Sequence, residues 1–319
     1  MLGPMAMRRL ACLVIVAACG STESLEVDPN DPLPPPPDDV GVQVATEIEV
    51  QPGEEIWLCR VLDLPNERFF PINHAESVQN DGMHHMDLIA TALATSDLEP
   101  GDYDCEDVYA QYPNLMEDGI IIYASQQKEQ EIVLPVGTVA NLLPHMRVMH
   151  EIHFVNPTDQ PIKAFSKINA YEYKDDFDKE IWGGAVRDLD INVPANTAQH
   201  VEWTRCVMNQ DVDVLFLSTH THALAKETVV RRFDGQSAAP GEVLYTNTDW
   251  HAPHLKDMTQ APLHVPAGSG FEFECNYENH SGAPVHWGFT AAEEMCQIAL
   301  VYTPGEAKRH CDIVASGVR

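Results

Sequence analysis

Through the middle and end of the chain, short runs of aromatic and β-branched residues alternate with turns that carry Pro and Gly, and long helical periods are hard to find. Side chains on a strand alternate faces with period two, so runs of this kind suit half-buried strands. The pattern predicts an all-β protein. With 319 residues, 44% of them hydrophobic, the chain can bury one large core or two of ordinary size. Its formal net charge of −30 argues against nucleic acid as a partner, because phosphate binding needs basic clusters. Most of that charge reads as solvated surface.

The first 19 residues place Arg8 and Arg9 before an apolar run, Leu10 to Ala18, too short to span a bilayer. They read as an export signal. The ending Val16-Ala17-Ala18-Cys19 resembles a bacterial lipobox, which would make Cys19 a lipidated first residue and anchor the protein at a membrane surface. The plainer alternative is cleavage without lipid. Residues 20–43 are polar, acidic and include Pro34-Pro35-Pro36-Pro37, which predicts a disordered or extended tether.

Setting aside Cys12 and Cys19 leaves Cys59, Cys105, Cys206, Cys275, Cys296 and Cys311. An even set of separated cysteines in an exported chain reads as disulfides, and no CxxC suggests a zinc site. Spacing alone leaves all fifteen pairings open.

Four segments concentrate metal-type ligands: Asp81 to Asp87 with His84 and His85, Arg147 to Pro157 with His150 and His153, Phe216 to His222 with His220 and His222, and Glu293 to Cys296 with Met295. On a strand, His220 and His222 share a face about 6–7 Å apart and can clasp one ion. Val148, His150, Ile152 and Phe154 share a core face, which turns Arg147, Met149, Glu151 and His153 the other way, toward a cleft. His84 and His85 are adjacent, so joint ligation calls for a strand end or a loop. Singly, each feature has a bland reading: paired histidines are often surface or packing, and Met usually fills core space. Their joint occurrence changes that. Imidazole suits copper, zinc, iron and nickel, while a thioether selects Cu(I).

In this order, the four segments resemble the copper type II, ascorbate-dependent monooxygenases, the family of dopamine β-monooxygenase and peptidylglycine α-hydroxylating monooxygenase. The likeness spans roughly residues 46–316 and includes Trp57-Leu58-Cys59 followed by Leu64-Pro65. Trp250-His251-Ala252-Pro253-His254 and Glu293-Glu294-Met295-Cys296 look closest to the dopamine β-monooxygenase branch. The resemblance implies two jelly-roll-like antiparallel β-sandwich domains, residues 44–188 and 189–319, facing across an open, solvent-filled cleft. It implies two coppers per chain, one held by His84, His85 and His153, the other by His220, His222 and Met295 where oxygen is activated. It also implies the bridges Cys59–Cys105, Cys206–Cys311 and Cys275–Cys296.

The implied activity is hydroxylation of a C–H bond in a small organic substrate with O2 and a one-electron reductant such as ascorbate. No obligate protein partner is inferred. Where the peptide-hydroxylating branch has an arginine and a tyrosine, this chain has Ser218 and Ala299, so a peptide C-terminus is a poor expectation. The competing reading is a copper-handling lipoprotein without turnover. A zinc hydrolase is disfavoured, because Met295 is the wrong ligand type and no His-Glu-x-x-His helix occurs. His145, His150, His251, His254, His264, His280 and His286 receive no ligand role, with His251 and His254 the best placed exceptions.

Overall fold

The computed structural model describes residues 31–90, 98–113, 115, 120–305 and 311–319. The export signal, Cys19 and the start of the tether lie outside the described residues. Among them there is one short helix, α1 (Cys105–Gln111), and no helix long and apolar enough to cross a membrane. The all-β expectation holds.

The first half stacks two sheets. The outer one runs β1 (Gly41–Val50), β10 (Ile162–Glu172), β3 (Phe70–Gln79), β8 (Thr138–Leu142) and β11 (Lys179–Glu180), with β7 (Glu129–Val133) also on β3. The inner one runs β5 (Gly101–Asp104), β2 (Glu55–Asp63), β9 (Arg147–Val155), β4 (Met83–Ala90) and β6 (Ile120–Ser125). Their facing sides bury Val44, Phe70, Met86, Ile152, Phe154 and Ile168 among others. The strand alternation in β9 is as read from sequence: Val148, Ile152 and Phe154 enter this core, and Met149 enters a separate cluster around Cys59–Cys105.

The second half repeats the plan. An inner sheet runs β12 (Trp182–Arg187), β22 (Cys296–Thr303), β15 (Val212–Thr221) and β18 (Lys256–Asp257), with β19 (Leu263–Val265) also on β15. An outer sheet runs β17 (Val243–Asn247), β16 (Ala225–Phe233), β20 (Gly270–Asn279), β14 (Thr197–Met208) and β23 (Cys311–Val318), and β13 (Asn192–Val193) pairs with β21 (Val285–His286). Phe271, Phe273, Tyr277, Ile298 and Val230 fill the core between the sheets. No ladder among the described residues joins a strand before Glu180 to one after Trp182.

All three bridges form with the implied pairing, Cys59–Cys105, Cys206–Cys311 and Cys275–Cys296. Residues 31–40, taken from sequence as part of a tether, pack instead against side chains of β1 and β10 in the outer sheet. Leu33 is buried, the Asn169 amide donates to the Pro34 carbonyl, and Lys167 pairs with Asp31. A proline run cannot donate to a ladder, but its carbonyls still accept from side chains. β1 then begins at Gly41.

Candidate metal centre

The two inner sheets face each other, and the predicted ligands lie on those faces. Across the first, Trp57, His153 and His85 form one row and Cys59, Glu151 and Asp87 the next. Adjacent His84 and His85 share this face because β4 is bulged: Met83 opposes Phe154 and His85 opposes His153, so His84 is an extra residue. The bulge does inside a strand what the sequence suggested only a strand end or loop could do. Gly82 supports it. Its φ of +96° suits glycine, and a Cβ there would lie 2.9 Å from the Phe154 ring.

On the second sheet His220 sits near the end of β15, opposite Gln297, and His222 lies just past the strand. Their ring centroids are 5.4 Å apart. Met295 precedes Cys296, so the Cys275–Cys296 bridge fixes its strand, and the Tyr277 hydroxyl donates to its carbonyl at 2.7 Å.

Hydrogen bonds fix which ring nitrogen is free. The His222 Nδ1–H donates to the Glu293 carbonyl at 3.0 Å, which leaves Nε2 bare, buried and without a partner. A carbonyl only accepts, so the tautomer follows. The His153 Nε2–H donates to the Glu55 carboxylate at 2.7 Å, turning its Nδ1 toward the Nδ1 of His84, 3.2 Å away. The His220 Nδ1–H donates to the Gln126 amide oxygen at 2.8 Å. His84 Nε2 and His85 Nδ1 are buried without hydrogen-bond partners, although Asp87 is 3.5 Å from the latter. Orphaned buried nitrogens are costly in a folded core and fit a bound cation.

Electrostatics agree. Burial, then neighbouring imidazoles, hold His84 and His220 well below the ordinary histidine range. Burial brings His153 and His222 down to about 4. These rings are neutral near pH 7, the form that ligates metal. His85 goes the other way: burial acts most strongly and opposes charge, but together the Asp87 and Glu151 carboxylates outweigh it.

The structure brings the two ligand groups together rather than apart. His84 is 4.9 Å from His220 and 5.0 Å from His222 between ring centroids, and His85 is 5.2 Å from His220. Ligating atoms of His84, His85 and His220 all lie within 4.8 Å of one another. An open, solvent-filled cleft between the groups is therefore not what this structure has at the ligands. Contacts across the halves close it. Glu55 also accepts from the Ala291 backbone, and Gln127 donates to the Pro253 carbonyl. Phe289 stacks on Trp57 at 4.1 Å. The cleft persists as cavities on both sides, one lined by His85, His220 and Met295, the other by His84, His153, His222 and His251.

Several supporting residues escaped the sequence reading. Glu294, fully buried, accepts from the backbone N–H groups of Leu224, His222 and Met295, and so ties the two ligand segments of the second half together. Burial pushes its carboxyl up to about 7 despite those three donors. Glu55 and Gln126 come from segments without any ligand signature. Glu294 stood in a quoted segment, but only its fully buried position shows what it does. His150, in contrast, is a satisfied core histidine bonded to Thr46 and Ser166.

Imidazoles with one thioether nearby suit copper better than zinc. No curated protein matches the chain. Among solved structures, it resembles the naturally occurring empty particles of the cowpea mosaic virus top component over 87% of this chain and 92% of that one, at 8% identity and a TM-score of 0.37. So distant a likeness carries no argument. Residues 184–316, the stretch that holds His220, His222 and Met295, match the family model described as copper type II ascorbate-dependent monooxygenase, C-terminal domain.

Proposed function

We propose that this chain is a copper-dependent monooxygenase that hydroxylates a C–H bond of a small organic substrate, using O2 and a one-electron reductant such as ascorbate. His84, His85 and His153 would hold one copper, and His220, His222 and Met295 the other. Copper, when bound, supplies one-electron redox chemistry and a site for dioxygen. The observation that carries this reading is a cluster of buried histidines in which His84, His220 and His222 are held neutral and the Nε2 atoms of His84 and His222 have no hydrogen-bond partner. The copper and ascorbate dependence of the family matched over residues 184–316 supports it. So does the retention of both ligand groups.

The chain's own residues have definable tasks. Glu55, Gln126 and the Glu293 carbonyl each hold one imidazole N–H and so present the opposite nitrogen. Glu294 keeps Met295 in register with His222. Phe289, packed on Trp57 and Tyr109, excludes water from the rear of the first group. Export through the N-terminal signal and lipid anchoring at Cys19 belong to the same proposal.

A second reading is favoured by one observation. His84, His85 and His220 are close enough to share a single ion, as a copper-handling protein would use them. Oxygen uptake separates the two. The copper-loaded full chain should consume O2 with ascorbate and a substrate panel, and place one 18O atom from 18O2 in the alcohol product. Tight copper binding without uptake on any panel member would favour the binding-only role.

A further inference from the structure

Resting on the monooxygenase reading, we propose that the substrate is a small, uncharged, mostly apolar molecule bearing at most one neutral hydrogen-bond donor. The strand register of the second inner sheet supplies the reason. Arg187, Gln297 and His220 oppose one another in one row, Ala185, Ala299 and Ser218 in the next, and Gly183, Val301 and Phe216 in the third. Residues two apart on a strand share a face, so the row beside His220 is made of small side chains. It forms a trough that begins at the ligands His220 and Met295.

The far end of the trough is apolar. There Phe216 and Val301 pack with Leu134, Ile132 and Leu255. Ile122 and Ala124 of β6 line the opposite side. The cavity offers about 150 Å³, the size of an apolar cavity that accepts a single benzene-sized ring. No charged side chain belongs to the small-residue row or the apolar far end. The charges that line the cavity are Asp87, Glu151 and Arg187, and all three stand at its mouth: the carboxylates beside His85, and Arg187 in the row of His220, one row from Ala185. Glu151 is already engaged by the Trp57 Nε1–H and the Tyr109 hydroxyl.

Ser218 and Gln297 supply neutral polar groups in and beside the small row. The Ser218 hydroxyl donates to the His254 carbonyl, so its proton is spent. The Gln297 amide oxygen is buried with no partner and lies in the row of His220. A neutral hydroxyl or amide N–H satisfies that oxygen. A carboxylate or ammonium carried past the mouth into the small-residue row would leave Arg187, Asp87 and Glu151 behind and meet no counter-charge, at a large desolvation cost.

The test is equilibrium binding to the copper-free full chain, which does not depend on turnover. 2-Phenylethanol, ethylbenzene, 2-phenylethylamine and 3-phenylpropionate serve as near-isosteric probes at pH 7. The neutral alcohol should bind at least tenfold more tightly than either ion. Ala299→Phe should weaken it tenfold or more. Gln297→Leu should weaken the alcohol while leaving ethylbenzene unchanged. Ala185→Val is the milder filling variant, and thermal melts confirm that each variant folds.

An ion that binds as well as the alcohol, no binding of either neutral probe at millimolar concentration, or full binding by both folded filling variants would each overturn the proposal. Failure of the monooxygenase reading looks different: the neutral probe binds the trough, but the copper-loaded chain consumes no oxygen.

Discussion

The two ligand groups meet in one cluster but are held in opposite ways. His84, His85 and His153 stand on neighbouring strands within the first inner sheet, with the carboxylates of Glu55, Asp87 and Glu151 beside them. His220, His222 and Met295 stand at a strand end, just past it and on the edge of a loop. A neutral amide, a backbone carbonyl, a disulfide and Glu294 hold them there. The first group is rigid by ladder and sits in an acidic surround, which favours the more highly charged state of a bound cation. The second is rigid by side-chain ties and offers neutral donors with a thioether, which favours the lower charge. If each group holds a copper as proposed, the contrast would give the two ends different redox preferences, each set by what lies behind its imidazoles.

The largest effect that could break this comparison comes from Glu294→Ala. It strands three buried backbone donors and should cost about 3–5 kcal/mol in a denaturant melt. Copper bound by the second group should go with it while the first group still loads. Equal loss from both groups would mean that the tie is not local. Next comes Asp87→Asn, which should weaken copper at the first group alone by roughly 10–100-fold in a competition titration, as loss of a carboxylate behind a ligating histidine does.

His150 sharpens the comparison from inside the first half. Burial above all, then the Arg60 charge, brings it down to about 3, so below the unfolded value the unfolded chain takes up a proton that the folded chain refuses. Its contribution is intact above about pH 6.5 and is lost progressively as the pH falls toward 3. Relative to wild type, His150→Asn should remove on the order of 2 kcal/mol of the destabilisation seen between pH 7 and pH 5. Parallel pH profiles for the two proteins would contradict this. The smallest effect is Gln126→Ala. It deletes two hydrogen bonds between the halves, to His220 and to the Trp250 carbonyl, and should cost about 1–2 kcal/mol, with a visible change in the His220 ring-proton NMR pattern.

Much of this was legible in the residues. Period two in Arg147 to Val155 places His150 inward and His153 on the opposite face, because alternation is a local property of any strand. The bulge at His84 was not legible, since register is decided by the partner strand β9 rather than by β4 itself. Closure of the cleft was equally hidden. It depends on Phe289, Gln126 and Gln127 finding partners more than 90 residues away in sequence. The Pro-rich stretch looked like a tether because its composition lacks strand character. Its Leu33 and Pro34 carbonyls nevertheless accept from Gln43 of β1 and Asn169 of β10, and the Leu33 side chain is buried.

The central claim, two differently built copper sites in one closed cluster, is most directly tested by copper stoichiometry and EPR. The full chain would be compared with His153→Ala and His222→Ala. The account predicts two coppers per wild-type chain, both reducible by ascorbate, with one lost in each variant and distinct residual spectra. One copper in the wild type, abolished by either substitution, would show a single shared site and contradict it.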